Sequence, residues 1–167
     1  IYDSSVGISV LLFTNIPIVA LLFFIIVSSY HFGEQHWNEI IKTNKSLVTS
    51  LFQFNYGLLI LVILFYFNTK EVIEIIYEIT KYTISAEHIE GAVLIALSVF
   101  VILSIRLYLI STEFKNNLIE QLFYLVVLAV VFKASSLIWG FTIYFIFWHS
   151  IPSLNDQLIF LYGSSTW

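Results

Sequence analysis

Long apolar stretches recur along this chain of 167 residues, and they constrain its fold more than any other feature. Each approaches the roughly 20 residues that a helix needs to cross a hydrocarbon core of about 30 Å. Hydrophobic residues make up 59% of the chain and charged residues 11%, proportions that are unusual for a soluble domain. The sequence therefore predicts one all-α membrane domain, a polytopic transmembrane helical bundle.

About five complete spans and one truncated N-terminal span are predicted. They lie near residues 1–13 (partial), 16–37, 48–67, 91–110, 118–132 and 137–151. The chain starts on Ile1 and contains no methionine, which indicates an internal fragment of a longer protein. Between two spans, residues 70–88 alternate acidic residues and lysines with isoleucines, a pattern typical of an amphipathic helix at the membrane interface.

The stretch from residue 118 to residue 151 is too long for one span. As a single helix it would measure about 51 Å, well beyond the hydrocarbon core of about 30 Å. Lys133-Ala-Ser-Ser136 lies in its middle, so we expect a break there, which returns His149 to the membrane side of His31. Lysine and arginine residues are more frequent on that side, which favours the cytoplasmic face.

Two features of the composition exclude whole classes of function. The chain has no cysteine, so disulfides, thiolate nucleophiles, cysteine-ligated zinc and iron–sulfur clusters are excluded. Its net charge of -4 is spread over the loops without a basic block, so nucleic acid is not expected as a partner. Any metal must be held by histidine, carboxylate, backbone or water.

A polar stretch that contains two histidines, Ser28-Ser-Tyr-His-Phe-Gly-Glu-Gln-His-Trp37, ends the span 16–37. On a helix, His31, Glu34 and Gln35 share one face, whereas His36 lies about 140° away. We therefore predict His31 as a metal ligand, with Glu34 or Gln35 as its second-shell hydrogen-bond partner and His36 as a possible ligand. The alternative is a structural histidine that hydrogen-bonds between helices.

Three further side chains, of two histidines and one lysine, are of types that often carry chemistry, and only one of them is predicted to do so here. His149 closes an aromatic run and is predicted as the second metal ligand, although an interfacial aromatic belt is the alternative. His88 lies among acidic residues and is predicted as a solvated surface histidine. Lys133 is predicted to snorkel rather than to form a Schiff base. Histidines without cysteines in an apolar bundle favour a non-haem iron centre.

Three segments in order carry a family resemblance. They are Ser29-Tyr-His-Phe-Gly33 followed by Trp37, Tyr56-Gly-Leu-Leu-Ile60 leading to Glu71-Val72, and Tyr144-Phe-Ile-Phe-Trp-His-Ser150. Together they resemble the Brp/Blh family of bacterial and archaeal β-carotene dioxygenases, which supply retinal to rhodopsins. The resemblance covers most of the chain.

The resemblance implies an enzyme of a bacterial inner membrane that uses Fe(II) and O2 to split the central double bond of β-carotene. The two retinal products would pass to a rhodopsin. His31 and His149 match two of the family's iron ligands. The family's N-terminal His-Gly motif has no counterpart, and Ser153 stands where the family often has another histidine. Either fewer histidines suffice, or His36 substitutes, or a ligand lies beyond the chain given.

Two other functions remain open on the sequence. A different histidine-ligated membrane oxygenase would usually show His-x-x-His-His boxes, and none occurs. A non-enzymatic carotenoid- or retinal-binding membrane protein would need no metal.

Overall fold

The structure, a computed structural model, describes residues 13–38, 40–41 and 46–163; the side chains of residues 148, 149 and 156 lie outside this description. These residues are helical and contain no strand. The helices are α1 (Pro17–Asn38), α2 (Leu47–Phe67), α3 (Thr69–Thr80), α4 (Ala86–Ile110), α5 (Thr112–Ala134), α6 (Leu137–Tyr144) and α7 (Ile151–Tyr162), with a π-helical turn over Phe145–Ser150.

Five helical segments in the described part of the chain are long and apolar enough to cross a membrane. They are α1, α2, α4, α5 and the continuous run Leu137–Tyr162. The predicted all-α polytopic bundle is thereby confirmed. The partial span predicted for 1–13 falls outside the described residues, apart from its last residue.

Helix α2 lies at the centre of the bundle. In its most apolar window, 61% of the residues are buried by protein, against at most 22% in any other candidate span. It contacts α1 and α4 extensively and also packs against α5 and α6. Leu59, Ile60 and Leu64 are almost fully buried there. The other candidate spans therefore leave most of their residues uncovered by the described protein, while α2 is covered by its neighbours.

Helices α1 and α2 approach closely because each helix has a glycine that faces the backbone of the other helix. A Cβ atom on Gly33 would collide with the backbone carbonyl of Gln53, and one on Gly57 would collide with that of Ser29. Ser29 and Gly33 are four residues apart and so share one face of α1, the small-xxx-small arrangement of membrane helix pairs. The contact fixes the residues around His31 against the central helix.

The amphipathic helix α3 is shorter than the predicted segment 70–88. It ends at Thr80 because Lys81 adopts a left-handed conformation, with φ of 61°. A new helix then begins at Ala86, where Ser85 and His88 form a capping box. Residues 86–88 therefore belong to α4. His88 is exposed, and its Nδ1 lies 2.7 Å from Ser85 Oγ.

The chain breaks between α5 and α6 at Ser135 and Ser136. Ser135 Oγ donates to Val131 O at 2.7 Å, which satisfies a carbonyl near the end of α5. On the other side of the break, Leu137 N–H donates to Glu71 Oε2 at 3.1 Å. A carboxylate from α3 thus satisfies one of the unpaired donors at the start of α6.

The last helical run extends beyond residue 151, where the predicted span ends. It continues to Tyr162, and Pro152 stands in the first turn of α7. The π-helical turn precedes it, with Ile151 N–H donating to Ile146 O five residues back. The run stops at Gly163, whose φ is 77°.

Candidate active site

His36 is the one histidine, among the three whose side chains the structure describes, that reaches the interior of the bundle. Its Nε2 lies 2.6 Å from Gln121 Oε1 of α5 and 3.3 Å from the hydroxyl of Tyr56 of α2. The imidazole also stacks on the Tyr56 ring, with centroids 4.9 Å apart. Because a carbonyl oxygen only accepts, His36 Nε2 is the donor in the hydrogen bond to Gln121.

Trp37 forms the centre of an aromatic cluster beside His36. Its side chain is fully buried, lies edge-on to Phe52 at 4.8 Å and stacks on Phe114 at 5.1 Å. Phe100 of α4 extends the cluster, 5.6 Å from Phe52 and 6.2 Å from Tyr56. The indole N–H of Trp37 has no hydrogen-bond partner among the described residues. The interior next to His36 is therefore mainly aromatic.

His31 lies on the other side of α1, as the helical spacing predicts. Its side chain is exposed within the described part of the chain, and its ring is 6.2 Å from that of Phe32. Glu34 and Gln35 are partly buried. Their predicted role, a hydrogen bond that orients the His31 imidazole, is not tested by these contacts and stays a prediction.

His149 falls within the π-helical turn, although its side chain lies outside the description. π-Helical turns are rare and occur frequently at functional sites. The start of this turn is close to α1, because the Phe32 and Tyr144 rings meet edge-to-face at 5.2 Å. The structure therefore brings together the two chain segments that carry His31 and His149.

The described residues do not by themselves assemble a metal site. They contain no group of three histidine, aspartate or glutamate side chains placed to hold an ion. Of the two predicted ligands, His31 is exposed and the side chain of His149 is not described. The described side chains thus include only one of the two predicted ligands, and the ligand assignment stays a prediction.

Gln121 and Tyr56 were not predicted as site residues, yet they hold His36. Gln121 is buried, although it lies near the beginning of the predicted apolar span 118–132. A polar side chain inside a membrane span costs free energy unless it has a hydrogen-bond partner. This rule indicates from the sequence that Gln121 needs a partner. It could not identify His36, because the two residues are 85 positions apart.

The fold and this interior define an all-α membrane protein in which a histidine, a glutamine and a tyrosine meet beside an aromatic cluster. Residues 1–166 match the family described as beta-carotene 15,15'-dioxygenase, so the chain belongs to that family. The predicted resemblance is confirmed. No curated protein and no solved structure matches the chain significantly. Family membership implies a dioxygenase enzyme.

Proposed function

We propose that this protein cleaves β-carotene at its central double bond and releases two molecules of retinal. O2 is the second substrate, and each of its oxygen atoms becomes the aldehyde oxygen of one product. The family match over residues 1–166 is the observation that carries this proposal. The proposed location is the inner membrane of a bacterium, where the bilayer supplies the carotenoid and a rhodopsin accepts the retinal.

The aromatic interior supports a hydrocarbon polyene as the substrate. Trp37, Phe52 and Phe114 are fully buried and pack on one another, so the interior beside His36 is formed mainly by aromatic side chains. These residues come from α1, α2 and α5, so the cluster lies between helices rather than in a loop.

We further propose Fe(II) as the cofactor, with His31 and His149 among its ligands. Both residues match the family's histidine motifs, and imidazole is a normal ligand for iron. The bound ion would supply the activation of O2. His36 has a different role in this proposal: it holds α1 against α5 through its hydrogen bond to Gln121.

The test uses the full-length gene in bacterial cells that make β-carotene. Wild-type protein should bleach the cells and produce retinal, detected by chromatography, and the purified protein should contain iron. His31→Ala and His149→Ala should abolish both retinal and iron, whereas His36→Ala should keep its iron. His88→Ala is the matched control, because His88 is exposed and caps α4 at the opposite end from the motif.

Each contrary result has a distinct meaning. Cleavage retained by both His31→Ala and His149→Ala would show that these residues are not the iron ligands. Iron lost from His36→Ala but kept in His31→Ala would transfer the ligand role to His36. Wild-type protein that binds carotenoid without iron and without making retinal would be the non-enzymatic binding protein instead.

A further inference from the structure

An apolar groove of about 280 Å³ lies between α1, α2 and α6. Leu61 and Leu64 of α2 are buried at its base, and Phe24 of α1 and Ile138 and Phe141 of α6 line its sides. Phe24 is 49% exposed and Ile138 is 70% exposed, so the groove opens on the outside of the described bundle. A long apolar molecule can therefore enter it sideways from a bilayer.

The contacts between α1 and α2 fix the depth of His31 in the bundle. A Cβ atom on Gly57 would meet the Ser29 carbonyl, and one on Gly33 would meet the Gln53 carbonyl. Helices α1 and α2 are therefore antiparallel. His31 follows Ser29 by two residues and precedes Gly33 by two, so it lies level with the midpoint between these two contacts.

The segment that carries His149 reaches a similar depth on α6. A Cβ atom on Gly140 would lie 2.9 Å from Leu64 Cδ1, and Leu137 at the start of α6 bonds to a carboxylate of α3, which follows the end of α2. Helix α6 is therefore antiparallel to α2. His149 follows Gly140 by nine residues, which brings its backbone from the level of Leu64 close to the level of His31. The two predicted iron ligands thus belong to one level of the bundle.

Two helical turns separate the groove from that level. Phe24 precedes His31 by seven residues, so the two side chains share one face of α1 and lie about 10 Å apart along its axis. Both are exposed in the described part of the chain. Ser28, the residue between them on this face, has a short side chain. A polyene that lies along α1 can therefore extend from the groove to the level of His31.

The size and lining of the groove fit one end of a carotenoid. β-Carotene is a symmetric hydrocarbon, and each half extends from the central double bond to a terminal ring. The groove is slightly smaller than the range of about 300–1,000 Å³ that encloses a drug-sized ligand, so it can take one end of this longer molecule. The partly exposed rings of Phe24, Phe65 and Phe141 line it, and aromatic rings pack well against a conjugated chain.

We propose that this groove holds one terminal ring of β-carotene, and that its distance from His31 and His149 selects the central double bond for cleavage. The inference rests on the proposed function for the substrate and for the place of the reaction. A ring held in the groove fixes how far the polyene extends along α1. One double bond, and not its neighbours, then lies at the level of the two histidines.

Binding of β-carotene to the purified full-length protein in detergent, measured without O2 so that nothing is cleaved, tests the groove directly. Ile138→Trp should fill the groove and weaken binding by roughly 10-fold, because the larger side chain takes the place of the substrate. Ile102→Trp is the matched control and should bind as wild type does, since Ile102 is 61% exposed on α4 and lies outside the groove. Equal affinity in wild type and Ile138→Trp would overturn the proposal and leave the groove to lipid acyl chains.

A second variant tests whether the groove selects the bond. Phe24→Ala widens the groove, so the ring should shift and O2 should also split a neighbouring double bond, giving two aldehydes of unequal length beside retinal. Phe23→Ala is the matched control and should give retinal alone, because Phe23 is 60% exposed on the same helix and does not line the groove. Chromatography of the products separates these aldehydes.

The outcomes separate the groove from the reaction. Retinal as the only product of Phe24→Ala would overturn the selection of the bond by the groove. Wild-type protein that binds β-carotene and cleaves none of it would overturn the proposed function, whereas the comparison of Ile138→Trp with Ile102→Trp would still decide whether the groove binds the carotenoid.

Discussion

A single short contact ties His36 of α1 to Gln121 of α5. The imidazole N–H would otherwise be buried among Tyr56 and Trp37 without an acceptor, and the Gln121 carbonyl supplies one at 2.6 Å. The Tyr56 hydroxyl lies farther from the same nitrogen, at 3.3 Å. Tyr56 therefore holds the imidazole mainly through its ring, which stacks on it. His36 and Gln121 thus form a hydrogen-bonded polar pair inside an apolar bundle.

Replacing Gln121 by leucine should destabilise the protein by about 1–3 kcal/mol, because the buried His36 N–H loses its acceptor. Tyr56→Phe should cost less, about 0.5–1.5 kcal/mol, since only the longer hydrogen bond is removed and the stacking stays. Thermal unfolding of the detergent-solubilised protein measures both. Gln157→Leu is the control, because Gln157 is exposed on α7; an equal loss in that variant would contradict the role given to Gln121.

At the scale of elements, the pairing of α1 with α2 depends on backbone contact more than on side-chain volume. Gly33 and Gly57 sit where no Cβ atom fits, and Asn55 Nδ2 ties the same central helix to Ala96 O of α4 at 3.0 Å. The neighbouring helices therefore meet α2 by different means, close approach on one side and a buried hydrogen bond on the other. Both kinds of contact keep their strength where lipid competes with apolar packing.

Gly57→Ala should destabilise the bundle by about 1–3 kcal/mol, because the new methyl group would overlap the Ser29 carbonyl and the two helices would have to separate. Gly91→Ala is the matched control, since nothing lies within 4 Å of the place that its new methyl group would take. That change should be neutral or stabilise α4 by roughly 0.5–1 kcal/mol. Unfolding temperatures that fall equally in the two variants would refute the close approach of α1 and α2.

At the scale of the whole molecule, α2 is surrounded by protein and the other spans surround it. A residue of α2 that faces its neighbours packs against protein atoms, whereas a residue on the outer face of α4 is not covered by the described protein. Lipid tails are as apolar as a leucine side chain, so truncation costs little where lipid can fill the space. The position of a leucine in the bundle therefore decides how much it contributes.

Leu59→Ala should cost about 2–5 kcal/mol, because Leu59 is fully buried and the change leaves a cavity inside the bundle. Leu94→Ala should change stability by less than about 0.5 kcal/mol, since Leu94 is 64% exposed on α4. Chemical unfolding in detergent micelles compares them directly. Similar losses for the two would show that α2 is not the central helix of the bundle.

The sequence by itself determined the class of fold and the family, because both depend on local information. The length of each apolar stretch is read directly from the sequence and compared with a fixed bilayer thickness. Each of the motifs around Phe32, Tyr56 and Tyr144 is a short run of neighbouring residues. Helix ends were less predictable: α4 begins at Ala86 after the cap at Ser85, before the apolar stretch starts, and the last helical run ends at Tyr162, beyond residue 151.

Only the tertiary structure decided which face of α1 packs inward. Helical spacing shows that His31 and His36 point in different directions, but the rotation of a helix about its axis is set by its neighbours. Here close contact with α2 and the acceptor on Gln121 turn His36 inward and leave His31 on the exposed side. Because Gln121 is 85 residues away, no local pattern contains that information.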